Sequence, residues 1–525
     1  MSDFGSQAGQ LWSQAQVHLA AKQAAPARAA LEALLTADPD HTLGRLALGN
    51  LAWRQDRVRE AAAHALHAAR SVPDYPDLIC ETAGVLLRVG ETAAARECLQ
   101  RDVLENVMSD ALLTRLADHW HALGEHAEAL ARVDRARELG FDGDGVRHRR
   151  GRELVCLGRN EEAEPELELA FLLGPTHGEI ALELAHLRAQ SRERNHFNTL
   201  AGGIKNVARG SRDHAALEFA LYKELEDVGR YDDAWQALTR ANAVMAQRKR
   251  CDVARMQRWF ELCIALCTRE ALRPSQTNSD GPQPIFVVGL PHTGTREVAQ
   301  WLGGRPDVAN AGELNDFEQQ LRWSADHRST QDEHFLERVP TMDFEEIGRR
   351  YLAQTQWRAR GKPHFIDSQP DNWMYAGLIH AALPHARILH VTCDPMDACF
   401  AQYRDFFGDT HEYAYDLAAL AAHHRLYRKL MEHWHAQISG SFLAVSPERV
   451  PSGCEAIVQE VLGPGSGLRE ISRQMAAHDD RSTKAGVPKI QQQARCVPGK
   501  GKWRHYADRL MALEGSLAAV SEGIA

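Results

Sequence analysis

The chain lacks several things that would settle its class at once. Nowhere do about 18 apolar residues run without a charge, so no segment reads as a membrane-crossing helix. The N-terminus MSDFGSQAGQLWSQAQ has no basic segment leading into an apolar core, so a secretory leader is not expected and a cytoplasmic location is. A basic excess is missing too. With 71 acidic against 61 basic side chains the net charge is −10, which excludes a global positive field for nucleic acid. The 10 cysteines show no paired CxxC spacing, so reduced, mostly buried thiols are expected and no metal site. Cys263 and Cys267, one helical turn apart, read as core residues for the same reason.

What is present begins with a repeat. Pro39 and Pro73 lie 34 residues apart, the length of one tetratricopeptide repeat, and Pro175 keeps the same register. Gly49, Ala83, Ala117 and Gly151 share that period, as do Ala61, Ala95, Ala129 and Ala163, with Gly90, Gly124 and Gly158 between them. Small residues on both facing surfaces let two helices approach closely, and a glycine between them ends the first. Ala68, Ala136 and Ala170 would receive the next repeat. The register slips after residue 175, yet Gly229, Ala234 and Ala241 restore the spacing for one more repeat. The polar stretch 189–214 reads either as a distorted repeat or as a connector. A helical solenoid over residues 8–250 is therefore expected, resembling the tetratricopeptide family. That resemblance implies a concave face for a peptide or protein, although such a solenoid can also merely support a second domain.

After a connector at 251–283, ending in the Pro- and Gly-punctuated RPSQTNSDGPQP, the pattern changes to β-rich runs alternating with helices. Strands are expected at 285–288, 364–367, 386–391 and 441–445, with helices at DNWMYAGLIHAAL and PMDACFAQYRDFF between them. Alternation of this kind predicts a mostly parallel sheet over residues 284–525, with ligands collecting at the carboxyl ends of the strands. The fold class is thus an all-helical solenoid followed by a P-loop-like α/β domain. Gly289 and Gly294 frame the loop after the first strand with phosphate-loop spacing. Thr295 stands where a nucleoside triphosphatase needs lysine, which argues against ATPase or kinase chemistry. A tight strand-to-helix turn without a ligand is the plainer reading of the same glycines.

The loop GLPHTGTR resembles the Gly-x-Pro-Arg-Ser-Gly-Thr-Thr loop of sulfotransferases. AGELND, the segment 367–417, LYRKLMEHW and GKWRHY are similar, in order, to segments of bacterial tetratricopeptide-linked sulfotransferases, relatives of the tyrosylprotein sulfotransferases. The resemblance implies sulfuryl transfer from 3′-phosphoadenosine 5′-phosphosulfate (PAPS) to a hydroxyl of a peptide or protein, without a metal. It places Glu313 as the general base, although a helix cap or an arginine partner is the structural alternative for that carboxylate. It places the loop of Gly289, His292, Thr293, Gly294 and Thr295 against the donor, while Arg296 at the start of the helix, and Lys500, Lys502 and Arg504 at the far edge, are candidates from the residues themselves to grip a phosphate from a new direction.

Several family positions are substituted. His292 replaces an arginine, Ser368 a lysine, Cys393 an arginine and Ala401 a serine. Charge-assisted contacts contribute about 1.5–3 kcal/mol each, so three losses amount to roughly 4.5–9 kcal/mol. An entire micromolar affinity is about 8 kcal/mol. Two functions follow as expectations: a PAPS-dependent sulfotransferase whose loop grips through main-chain amides and Arg296, or a pseudoenzyme that keeps the fold as a protein-interaction scaffold.

Overall fold

A computed structural model describes residues 7–277, 281–438, 440–447 and 500–518. Cys454, Cys496 and part of the 273–284 connector lie outside the described residues. The chain groups into two compact units. One comprises 1–142, 274–278 and 315–358, and the other comprises 143–273, 279–314 and 359–525. Each unit therefore draws on both the helical first half and the mixed second half of the sequence.

In the first unit the helices come in pairs: Gln7–Ala20 with Ala24–Ala37, Thr42–Arg54 with Val58–Ser71, Pro76–Val89 with Thr92–Leu99, and Asp110–Ala122 with His126–Glu138. The 34-residue register is visible in the packing. Ala61, Ala95 and Ala129 are fully buried where paired helices touch, and a Cβ on Gly49 would already lie 3.4 Å from the Ala61 carbonyl. Gly90 and Gly124 turn the chain with φ of +85° and +75°, a conformation glycine adopts at no steric cost. The helices Asp316–Ala325 and Phe344–Thr355 pack against these pairs. Their bonds are polar and buried: Thr92 donates to Asp316 at 2.7 Å, Gln320 to the Gly90 carbonyl at 3.0 Å, and Gln354 to Glu91 at 2.9 Å, while Arg350 pairs with Glu91.

The second unit holds the later pairs, Asp144–Cys156 with Asn160–Leu173 and Arg212–Asp227 with Tyr231–Arg248. Gly151, Ala163 and Ala170 close the first of these, and Ala234 and Ala241 the second, the alanines without exposed surface. The polar stretch at 189–214 contains a helix of its own, Phe197–Asn206, packed against the helix Arg212–Asp227. It thus behaves as a shortened partner in the array rather than as an open connector. Cys263 and Cys267 are buried with their sulfurs 3.9 Å apart, as core residues should be. Of the described cysteines Cys80, Cys98 and Cys399 are buried as well, whereas Cys156 is exposed.

The same unit contains a five-stranded parallel sheet: β1 (Gln283–Val288), β2 (Val308–Asn310), β3 (His364–Asp367), β4 (Arg387–Val391) and β5 (Phe442–Val445), in the order β2-β3-β1-β4-β5. β2 was not expected from the sequence; it is only three residues long and too short to show a period. The run at 371–383 was expected to be one helix but is split, a 3-10 turn at Pro370–Tyr375 leading into the helix Ala376–Ala382. Ile285, Val287, Ile366, Leu389, Val391 and Val445 form one apolar layer with Val298 and Leu302 of the helix Thr295–Gly303. Burying residues on both faces of the strands explains why they read as continuous apolar runs. Among the described residues, no helix is long and apolar enough to cross a membrane.

Candidate functional site

The strand order reverses direction at β1, because the chain leaves β1 for β2 and β3 on one side and then crosses to β4 and β5 on the other. Open parallel sheets gather ligands outside the carboxyl ends of the strands at such a point. Main-chain bonds tie neighbouring carboxyl ends together here. Ser368 donates its amide to the Gly312 carbonyl at 2.8 Å, Gly289 to Pro370 at 3.3 Å, and Thr392 to Val445 at 2.9 Å.

The loop after β1 is shaped by its unusual residues. His292 and Gly294 hold φ of +65° and +101°. A Cβ on Gly289 would meet the Val391 carbonyl at 2.7 Å and Thr293 Oγ1 at 2.9 Å. A Cβ on Gly294 would meet Pro447 Cγ at 2.5 Å. Both glycines are therefore needed for close approach, and Pro447, just past β5, closes the cradle from the far side. Thr293 spends its hydroxyl inside the loop, donating to Leu290 at 2.7 Å, and is 2% exposed. Thr295 is buried at the start of the helix Thr295–Gly303, which Gly294 begins without a side-chain cap. The first three amides of that helix have no intrahelical acceptor, and with the helix dipole they favour an anion.

Three basic side chains in this region, His292, Arg296 and Lys502, meet carboxylates. His292 Nε2 pairs with Asp405. Burial pushes the Asp405 carboxyl up, but the hydrogen bond and charge of His292, with the charge of His186, outweigh it and hold Asp405 well below the usual carboxylate range. Arg296, 76% exposed, stands 3.8 Å from Glu313, itself 50% exposed. Glu313 does not cap the next helix, whose cap position is Asn315, so of the two structural alternatives the arginine partner is the one realised. Lys502 Nζ lies 2.6 Å from Glu226, a carboxylate 3% exposed that also takes Arg404 at 3.1 Å and the Tyr222 hydroxyl at 2.6 Å. Arg504 stacks over Trp503, 4.9 Å from its ring centre. Lys500 is exposed in the turn before this segment, which is tied down where Gly501 donates to Asp397 at 2.6 Å.

Residues 284–463 match a family model described as the sulfotransferase family. This segment is a sulfotransferase-family domain. It spans β1 to β5 and the loop after β1, whereas Glu226 and the 501–504 segment lie outside it. The chain is also similar to an uncharacterized protein of Aquifex aeolicus (strain VF5), 25% identical over 320 residues, which is 59% of this chain and 42% of that protein. It thus spans about two fifths of the curated relative's length. Among solved structures, the tetratricopeptide-repeat domain of P58(IPK) matches at 14% identity with a TM-score of 0.19, covering 72% of this chain and 97% of that one. The repeat reading rests on the helix pairs themselves.

The residues present fit only part of PAPS, the donor that sulfotransferases generally use. The main-chain cradle and Arg296 suit a phosphate or phosphosulfate group. Ser368 and Ala401, 6% and 7% exposed, bring no charge to their positions, and the charges of His292 and Lys502 are already matched internally. Asp405, Glu226 and Pro447 were not legible in the sequence, since each acts on a residue far away in the chain.

Proposed function

We propose that the sulfotransferase-family domain takes the phosphosulfate end of PAPS on the main-chain cradle and favours sulfuryl transfer to a hydroxyl of a peptide or protein in the cytoplasm, with the repeats presenting that acceptor. The observation that carries this reading is the open helix start at Thr295 beside the exposed Glu313–Arg296 pair. Bound PAPS would supply an activated sulfuryl group whose departing phosphate needs positive charge. Thr295, Arg296 and Glu297 would meet that charge through their amides, and Arg296 also through its guanidinium. Glu313 would take the proton of the acceptor hydroxyl as general base. No metal enters this scheme.

Calorimetric titration with PAPS and with its desulfated product tests the donor site, and micromolar binding would support the enzyme reading. Glu313→Gln should leave that binding nearly intact and lower turnover by roughly 10²–10⁴-fold. Unchanged turnover would remove Glu313 from the role of base.

A second reading is favoured by one specific observation, the internal matching of His292 by Asp405 and of Lys502 by Glu226. On that reading the domain is a pseudo-sulfotransferase, and the chain acts as a scaffold whose repeats bind a protein. Absence of PAPS binding even at millimolar concentration, with the fold intact, would decide for it.

A further inference from the structure

The segment from Arg404 to His411 crosses beside the loop after β1 and is fixed at three points. Arg404 pairs with the buried Glu226 at 3.1 Å. Asp405 pairs with His292. His411 pairs with Asp371 at 3.1 Å, and its other ring nitrogen lies 3.1 Å from the Thr410 hydroxyl. Phe407 fills the space between the two imidazoles, its ring centre 5.9 Å from that of His292 and 4.8 Å from that of His411. Asp405 also accepts the Phe406 amide at 2.8 Å, which aims its carboxylate. The carboxylate is thus held in place from both directions along the chain, rather than meeting His292 by the chance of two mobile surface side chains.

His292 sits in the middle of the loop with a left-handed backbone, and its ring is 40% exposed. A cation in that place would turn towards an oxyanion seated on the cradle. It turns instead to an oxyanion that the protein supplies itself. We infer that Asp405 is an internal competitor for the anion of the cradle: it occupies His292 as a phosphate or phosphosulfate oxygen would, and so sets how weakly this loop holds its ligand. The inference rests on the reading of the loop as an anion site. An oxyanion entering the cradle must displace Asp405 from His292, and the carboxylate's charge opposes it. Asp405 is accordingly an affinity-determining residue, and the His292 substitution noted in the sequence is only half of the change.

The test uses the full chain and inorganic pyrophosphate as probe, by calorimetry at pH 6. Asp405→Asn should tighten pyrophosphate binding by about tenfold or more, and adding His292→Gln to that variant should abolish the gain, as expected when two residues share one interaction. If the wild-type protein binds pyrophosphate and Asp405→Asn gains less than this, the inference is overturned while the anion-site reading stands. If neither protein binds at millimolar pyrophosphate, the reading itself fails and the inference falls with it. Should Asp405→Asn not fold, the wild-type chain answers through ¹³C-labelled histidine, with the His292 signal assigned by its loss in His292→Gln. Saturating pyrophosphate should move that signal as the pair opens, and a signal unmoved at saturation overturns the inference.

Discussion

Gly294→Ala tests the cradle from inside. The backbone there has φ +101°, and the new methyl would lie 2.5 Å from Pro447 Cγ and 3.0 Å from its Cβ. Comfortable carbon–carbon separation is about 3.5–4.0 Å, and a proline ring cannot swing aside as a long side chain does. Two costs therefore add. Holding alanine in the left-handed region costs about 1–2 kcal/mol, and overpacking costs about 1–3 kcal/mol. Roughly 2–5 kcal/mol is more than a loop held by a few hydrogen bonds should absorb, so it opens, and the amides of residues 295–297 no longer converge. The expected result is loss of pyrophosphate binding with faster amide exchange over 289–297 and a lower melting temperature. Two companions separate the costs. Gly294→Asn relieves the first, because asparagine tolerates this backbone, but keeps the same Cβ. Adding Pro447→Ala to Gly294→Ala removes Cγ and should restore part of the stability. Wild-type binding and melting in Gly294→Ala would refute both the cradle geometry and the place given to Pro447.

Glu226→Ala should destabilise the second unit by about 3–5 kcal/mol, because it leaves the half-buried Arg404, and Lys502, without their shared buried counter-charge; unfolding by urea measures this, and a change within experimental error would show that Arg404 finds another partner. Stability should also fall on mild acidification. Burial above all, with smaller contributions from neighbouring basic side chains, holds His390 at about 3 and His424 at about 4, and pushes His423 well below its ordinary value. A lowered imidazole pKa contributes stability above the unfolded value near 6.5 and loses it as pH falls below, by about 1.4 kcal/mol per group per pH unit, or roughly 4 kcal/mol for three at pH 5.5. His411, raised by Asp371 against its burial, opposes this with the other sign, and a melting temperature flat from pH 7.5 to 5.5 would contradict the net direction. Cutting the chain at 273–284 should release an all-helical N-terminal fragment by circular dichroism. That fragment should self-associate, because Phe260 of the helix Val253–Leu266 loses its contacts with Trp373 and His423. Substantial sheet in the fragment would defeat the helical reading.

The repeat could be read from the sequence because its signal is local. A glycine at a helix end and an alanine at a crossing are fixed by backbone geometry within a few residues, and Gly90, Gly124, Gly158 and Gly229 all adopt the positive φ their spacing implies. The strands β1, β3, β4 and β5 announced themselves by apolar runs, whereas β2 exists through its pairing with β3, not through its own three residues. Compactness was the least legible feature. Composition changes sharply near 273–284, but packing follows polar bonds such as Thr92 to Asp316, more than 200 residues apart, which no window of sequence contains.

The site was legible in its main chain and illegible in its charge balance, for one physical reason. A glycine loop and a helix start present their amides wherever that local pattern folds, so Gly289, Gly294 and Thr295 could be placed from spacing alone. A cation contributes to ligand binding only to the extent that the fold leaves it uncompensated, and that depends on distant residues. Arg296 and Lys502 looked equivalent as candidate phosphate contacts, yet Arg296 is 76% exposed with its carboxylate at 3.8 Å, while Lys502 is held at 2.6 Å by a carboxylate 3% exposed. Freeing Lys502 would strip a buried carboxylate of one of its two cations, whereas Arg296 can turn to a ligand at almost no cost. Anion binding by this domain should therefore depend on Arg296 and hardly on Lys502. Arg296→Ala should weaken pyrophosphate binding towards the lower end of the range for a charge-assisted contact, about 1.5 kcal/mol or tenfold, since the side chain is solvent-screened. If Arg296→Ala binds as well as wild type, the amides alone hold the anion.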